Sequence, residues 1–129
     1  MNVLDENLAS QQSDKLKGWR IPFRQIGRDL AAHGTLDENL LPLLHRLPQP
    51  TFFTHDRDFF QASLCHSHYA LIDLDVGDEA AAEFIRRFLK HPAFNTIAKR
   101  LGIVARIHTN GVQFWKKGTP SSRFVAWSE

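Results

Sequence analysis

Apolar positions along the chain recur with two different periods. Short apolar runs fall at 1–4, 51–54 (Thr-Phe-Phe-Thr), 69–74 (Tyr-Ala-Leu-Ile-Asp-Leu), 103–109 and 112–117. Runs of this length, bounded by turn residues, predict strands. Helical spacing marks 37–47, where Leu40, Leu41, Leu43, Leu44 and Leu47 form one stripe behind Asp37 and Pro48 ends the run. Residues 78–91 give the clearest amphipathic helix. Asp78 and Glu79 sit in its first turn, Arg86, Arg87 and Lys90 lie near its end, and Pro92 follows. Residues 7–17 read as a polar helix stopped by Gly18, a short helix starts at about Phe59, and 93–101 continue helically to Gly102. Residues 19–26 alternate loosely, and Pro22 limits them to an edge or irregular strand. Asn110-Gly111 between two alternating runs predicts a type I′ hairpin.

Strands alternating with helices predict an α/β fold, a three-layer α/β/α sandwich around a mostly parallel sheet. At 129 residues the expectation is one domain over 1–129, with a core large enough to fold without disulfides or structural metal. Cys65 is the only cysteine, which excludes an internal disulfide and a Cys-rich zinc site and predicts a cytoplasmic protein. No apolar run approaches the ~18 residues of a membrane span. Asp5 and Glu6 interrupt the first residues, which therefore do not read as a signal peptide. No membrane partner is expected.

The net charge of +2 hides an asymmetry. Residues 1–83 carry 7 Lys and Arg against 13 Asp and Glu, whereas 84–129 carry 9 against one. Solvated faces could account for this. So could an acidic cluster beside a basic wall, the electrostatics of a metal-dependent enzyme acting on a polyanion.

The acids fall where such a sheet builds sites. Asp5 and Glu6 follow the first strand, Asp56 and Asp58 follow the strand at 51–54, and Asp37 and Glu38 open the helix that leads into that strand. In parallel sheets sites gather at the carboxyl ends of the strands. Magnesium takes one or two protein carboxylates and keeps waters and substrate phosphates. Two such ions about 4 Å apart hold the attacking and leaving oxygens of a phosphodiester. Asp5, Asp37, Asp56 and Asp58 are thus candidate catalytic and metal-ligating residues. Taken singly, Asp37 also reads as a helix cap, Asp58 as a turn residue and Asp5 as a surface acid.

The segments NVLDENL at the start, DENLL opening a helix and FFTHDRDFF after a strand resemble the PIN-like ribonucleases. The likeness is to the branch with a Leu-Asp-Glu-Asn start, a D-x-x-[IL] helix start and a T-x-D-x-DF motif, whose members are often toxins of toxin–antitoxin pairs. It extends over essentially the whole chain and implies a PIN-like fold. It further implies a metal-dependent endonuclease for single-stranded RNA, using Mg2+ or Mn2+. Asp5, Asp37, Asp56 and Asp58 match the acidic positions, and Thr54 matches the hydroxyl before the third acid. The chain departs from the pattern in a long linker holding Gly27-Arg28-Asp29, in His55, and in Leu-Pro-Gln-Pro before the third strand. Asp29 is therefore a rival to Asp37.

Arg106, Lys116, Lys117 and Arg123 are candidates to guide the RNA backbone, with Thr54 beside them at the substrate. Trp115 and Trp127 either stack on bases or pack; Trp127 also suits a homodimer or antitoxin contact. Other motifs carry less. Asp73-Leu74-Asp75 resembles a phosphatase D-x-D but lacks the downstream acids, and reads instead as ending a strand and capping the Asp78 helix. A phospho-receiver would need a Ser or Thr ending the fourth strand and a Lys ending the fifth. The His66-Ser67-His68 pair lacks a third zinc ligand. Cys65 beside His66 points away from it in extended chain.

Overall fold

The computed structural model describes residues 1–30 and 37–127, with Asp37 described in its backbone only. One sheet runs through it. Its strands are β1 (Asn2–Leu4), β2 (Arg24–Gln25), β3 (Thr51–Thr54), β4 (Ala70–Leu74), β5 (Ile103–Ile107), β6 (Gly111–Lys116) and β7 (Arg123–Ala126). Their spatial order is β2-β1-β3-β4-β5-β6-β7. The first five are parallel, and β6 and β7 add an antiparallel edge. Helices α1 (Ser10–Gly18), α2 (Asp37–Arg46), α3 (Ala81–Lys90) and α4 (Ile97–Arg100) connect them, with 3₁₀ turns at Arg57–Phe59, Ala62–Leu64 and Asp78–Ala80.

The α/β expectation with a mostly parallel sheet is met, and the apolar pattern explains why. The central strands are apolar at consecutive positions, and successive side chains point to opposite faces. Leu4, Phe53, Ile72 and Ala105 pack on one face with Leu16 of α1 and Ile85 and Phe88 of α3. Val3, Phe52, Leu71 and Val104 pack on the other with Leu40 and Leu44 of α2. Helices on both faces are what a three-layer sandwich requires.

Several elements differ from expectation. The first helix starts at Ser10, because the chain after β1 turns first, with Leu8 N–H donating to Asp5 O at 3.2 Å. Only Arg24–Gln25 of 19–26 is strand; Pro22 has no N–H to donate, and Arg20 takes a left-handed φ of 61°. Of 93–101 only Ile97–Arg100 is helical, beginning where the Thr96 hydroxyl accepts from the Lys99 amide at 3.2 Å. Asp73 and Asp75 do not cap the segment after them: Gly77 precedes the 3₁₀ turn at Asp78–Ala80, and α3 begins at Ala81.

The hairpin forms, but its turn is shifted by one residue. Ile107 pairs with Val112, and His108 N–H donates to Gly111 O at 2.8 Å, leaving Thr109-Asn110 as the corner. Neither Asn110 nor Gly111 has a positive φ, so the turn is not type I′. Gly111 is needed for a different reason. A Cβ there would collide with the Val125 carbonyl and come within 2.8 Å of Ala126 Cα, because β7 pairs directly against it. We expect Gly111→Ala to displace β7 and to destabilise the fold by about 1–3 kcal/mol, as overpacking does. Denaturant unfolding measures this, and unchanged stability would mean that β7 does not approach so closely.

Candidate active site

The chain leaves β1 for β2 on one side and returns to β3 on the other, so strand order reverses between β1 and β3. In open α/β sheets this reversal opens a crevice beyond the carboxyl ends of the two strands. Asp5 follows β1 there, and Asp56 lies two residues past β3.

A chain of short hydrogen bonds joins the two acids. The Thr54 hydroxyl donates to Asp5 Oδ2 at 2.6 Å and accepts from the Asp56 amide at 3.0 Å. Asp56 Oδ1 in turn accepts from the Asp58 amide at 2.9 Å, capping the 3₁₀ turn at Arg57–Phe59. Gln25 fixes the loop after β1. Its buried amide donates to the carbonyls of Asp5 and Leu8, each at 3.1 Å. Asp5, Glu6, Asn7, Ile26, Leu40, His55 and Asp56 line one cavity of about 310 Å³. His55 is anchored through Nδ1 to the Leu74 carbonyl at 3.0 Å, with Nε2 3.6 Å from Asp78.

The predicted residues divide accordingly. Asp5 and Asp56 border the same cavity. The side chain of Asp37 lies outside the described residues. Asp29 does not border that cavity. Its carboxylate accepts from the Gln25 amide at 3.0 Å and closes a local turn. Asp58 lends its backbone amide to Asp56 and is not part of the cavity wall. Thr54, expected at the substrate, is buried, and its hydroxyl both donates and accepts inside the protein, so it orients Asp5.

The basic candidates do not form one wall. Arg106 pairs in register with Asp73 and Gln113, whereas Lys116 stands opposite Ile103 and Lys117 N–H donates to Gly102 O. Lys116 and Lys117 therefore lie at the amino end of the parallel strands, opposite Asp5 and Asp56, and not with Arg106. Arg123 is exposed on the β7 edge opposite Phe114. Trp115 packs on Phe60, with ring centroids 4.6 Å apart. Trp127 donates its indole N–H to His108 O at 2.8 Å and leans on Phe84.

Sequence reasoning took Asp73 for a strand-end acid and missed its pairing with Arg106. Only 1% exposed, it accepts from Arg106 Nε at 2.8 Å. Burial pushes its carboxyl above the usual range, and Arg106 pulls it partly back. The signal was present: Ala-Leu-Ile-Asp-Leu and Ile-Val-Ala-Arg-Ile each carry one charge, of opposite sign, at the fourth position of a buried strand.

His45, His66, His68 and Tyr69 gather at the end of α2, with His45 and His66 centroids 4.5 Å apart. Among the described residues, no group of three or more His, Cys, Asp or Glu side chains is disposed to hold a metal ion. A larger cavity of about 520 Å³ lies along α3, lined by Glu83, Arg86, Arg87, Lys90, His91, Pro92 and Trp127. With one carboxylate among several cations, it does not suit a divalent ion. No protein-family model, curated protein or solved structure matches the chain.

Proposed function

We propose that the chain is a divalent-metal-dependent endonuclease for single-stranded RNA, a PIN-like domain working as the toxin of a toxin–antitoxin pair. The observation that carries the reading is the pair Asp5 and Asp56, which border one cavity at the reversal of strand order and are joined through Thr54. Two carboxylates are what magnesium asks of a protein, so the donor set fits Mg2+ or Mn2+. Asp5 and Asp56 would hold the ion, and the resemblance assigns Asp37 a place beside them. A bound divalent ion would lower the pKa of a coordinated water and screen charge on the phosphodiester. The protein's own part is orientation. Thr54 holds Asp5, the Asp58 amide holds Asp56, and Gln25 fixes the backbone between Asp5 and Leu8. The toxin role rests on the motif resemblance, and its partner would be a protein antitoxin.

The test uses the purified chain. With Mg2+ or Mn2+ we expect cleavage of single-stranded RNA, arrest by a chelator, and ion binding in calorimetry that weakens in Asp56→Asn. Neither cleavage of any RNA nor ion binding would overturn the reading. The second reading is a non-catalytic PIN-like interaction domain that has lost its metal. Under that reading RNA binds without being cut and no ion heat is seen.

A further inference from the structure

The strand registers place one polar row across an otherwise apolar sheet face. Thr54 stands opposite Asp73, Asp73 opposite Arg106, and Arg106 opposite Gln113. By alternation these side chains share the face that carries Phe52, Leu71 and Val104. Asp5 meets Thr54 at the end of the row. In the middle, Asp73 is 1% exposed, and its Oδ1 is buried without a hydrogen-bond partner among the described residues.

Such a group is costly. A buried carboxylate loses its hydration, and one oxygen here recovers nothing for it. Well-packed apolar residues in place of a buried ion pair are commonly as stable or more so. Stability therefore does not account for Asp73. What the pair does is set the guanidinium of Arg106. Nε is taken by Asp73 at 2.8 Å, and the guanidinium carbon lies 4.2 Å from the Phe60 ring centroid. Phe60 is itself backed by Trp115. Nη1 and Nη2 make no hydrogen bond with any described residue, although the Arg106 side chain is 23% exposed. A planar cation is thus held by its inner nitrogen and by an aromatic face, with its outer edge unused by the described residues. That edge is the fork geometry that binds phosphate oxygens in pairs.

We propose that Asp73 is a positioning residue that locks Arg106 over Phe60, so that the outer edge of the guanidinium binds a backbone phosphate of single-stranded RNA. The proposal rests on the RNA reading above and adds a substrate arm to it. Arg106 lies two strands from Thr54, about 10 Å across the sheet. The phosphate it takes is therefore a flanking one, not the one that is cleaved. Binding of that kind is felt equally in the ground and transition states.

The experiment measures binding of a fluorescently labelled oligouridine by anisotropy in excess EDTA, where metal-dependent cleavage is silent. Arg106→Ala is expected to weaken binding about tenfold, the scale of one charge-assisted contact. It should also reduce the slope of log K against log salt by about 0.7. Asp73→Asn should give a similar loss, and the double variant should be no worse than Arg106→Ala alone, because both act through one contact. Arg106→Lys covers the case in which Asp73→Asn fails to fold. A lysine has one charged nitrogen, which Asp73 would engage, so Lys should behave like Ala. With Mg2+ present, the loss should fall on KM and leave kcat unchanged. Wild-type affinity in Arg106→Lys, or additive losses in the double variant, would overturn the positioning role alone. No RNA binding by the unaltered chain would overturn both this inference and the functional reading.

Discussion

Asp56→Asn is expected to lower single-turnover RNA cleavage by on the order of a thousandfold while the protein stays folded. The size follows from charge. Asn has nearly the same volume as Asp but is a neutral and much weaker ligand for a hard divalent ion, and a bound ion contributes several kcal/mol to such a transition state. The intact fold follows from the hydrogen bonds. Asp56 accepts from the Asp58 amide as the cap of a 3₁₀ turn, and an Asn side-chain oxygen accepts equally well there. Asp5→Asn should behave in the same way, because the Thr54 hydroxyl can donate to either side chain. Circular dichroism and thermal melts report the fold, and single-turnover rates report the chemistry. A wild-type rate in Asp56→Asn would remove this carboxylate from the reaction and with it the metal assignment. A loss of rate that tracks loss of melting cooperativity would show a structural role instead.

What the sequence made legible, and what it did not, divides along the range of the interactions involved. β3 and β4 are apolar at consecutive positions, and α3 has a clean stripe between an acidic start and a basic end, so each is set by neighbours within a few residues. The Asp5–Asp56 pairing was legible for the same reason: each acid sits just past an apolar run, and the topology of parallel sheets does the rest. β7 was not legible. Three of its four residues are exposed, and it forms because β6 offers an unpaired edge, a non-local fact. The turn at Thr109-Asn110 was misplaced because Gly111 looked like a turn glycine, whereas the pairing of β7 against it is what excludes a side chain. Thr54 carried the right position but the wrong task, since only the register shows its hydroxyl enclosed between Asp5 and the Asp56 amide. Lys116 and Arg106 looked like one basic surface in a hairpin; antiparallel pairing sends them to opposite ends of the sheet.

The two phenylalanines of β3 should separate stability from site geometry. Phe52 and Phe53 are both fully buried, on opposite faces of β3. Replacing either by Ala leaves a cavity that the surrounding sheet cannot close, and each change should cost about 3–5 kcal/mol in denaturant unfolding. Their effects on the candidate site should differ. Phe53 packs edge-on against Phe88 of α3, with centroids 5.9 Å apart, on the face away from α2. Phe52 packs against Phe59 at 5.5 Å, and Phe59 closes the 3₁₀ turn whose cap is Asp56. Phe52→Ala therefore removes the apolar anchor of the turn that aims one carboxylate, and cleavage per folded molecule should fall along with stability. Phe53→Ala should lower stability by a similar amount and leave the rate of the folded fraction near wild type. The comparison is made well below the melting temperature of either variant, with the folded fraction taken from the unfolding curve. Equal losses of rate per folded molecule would mean that the two faces of the sheet are not mechanically separate, and that Asp56 is held by the sheet as a whole and not by the Phe52–Phe59 contact.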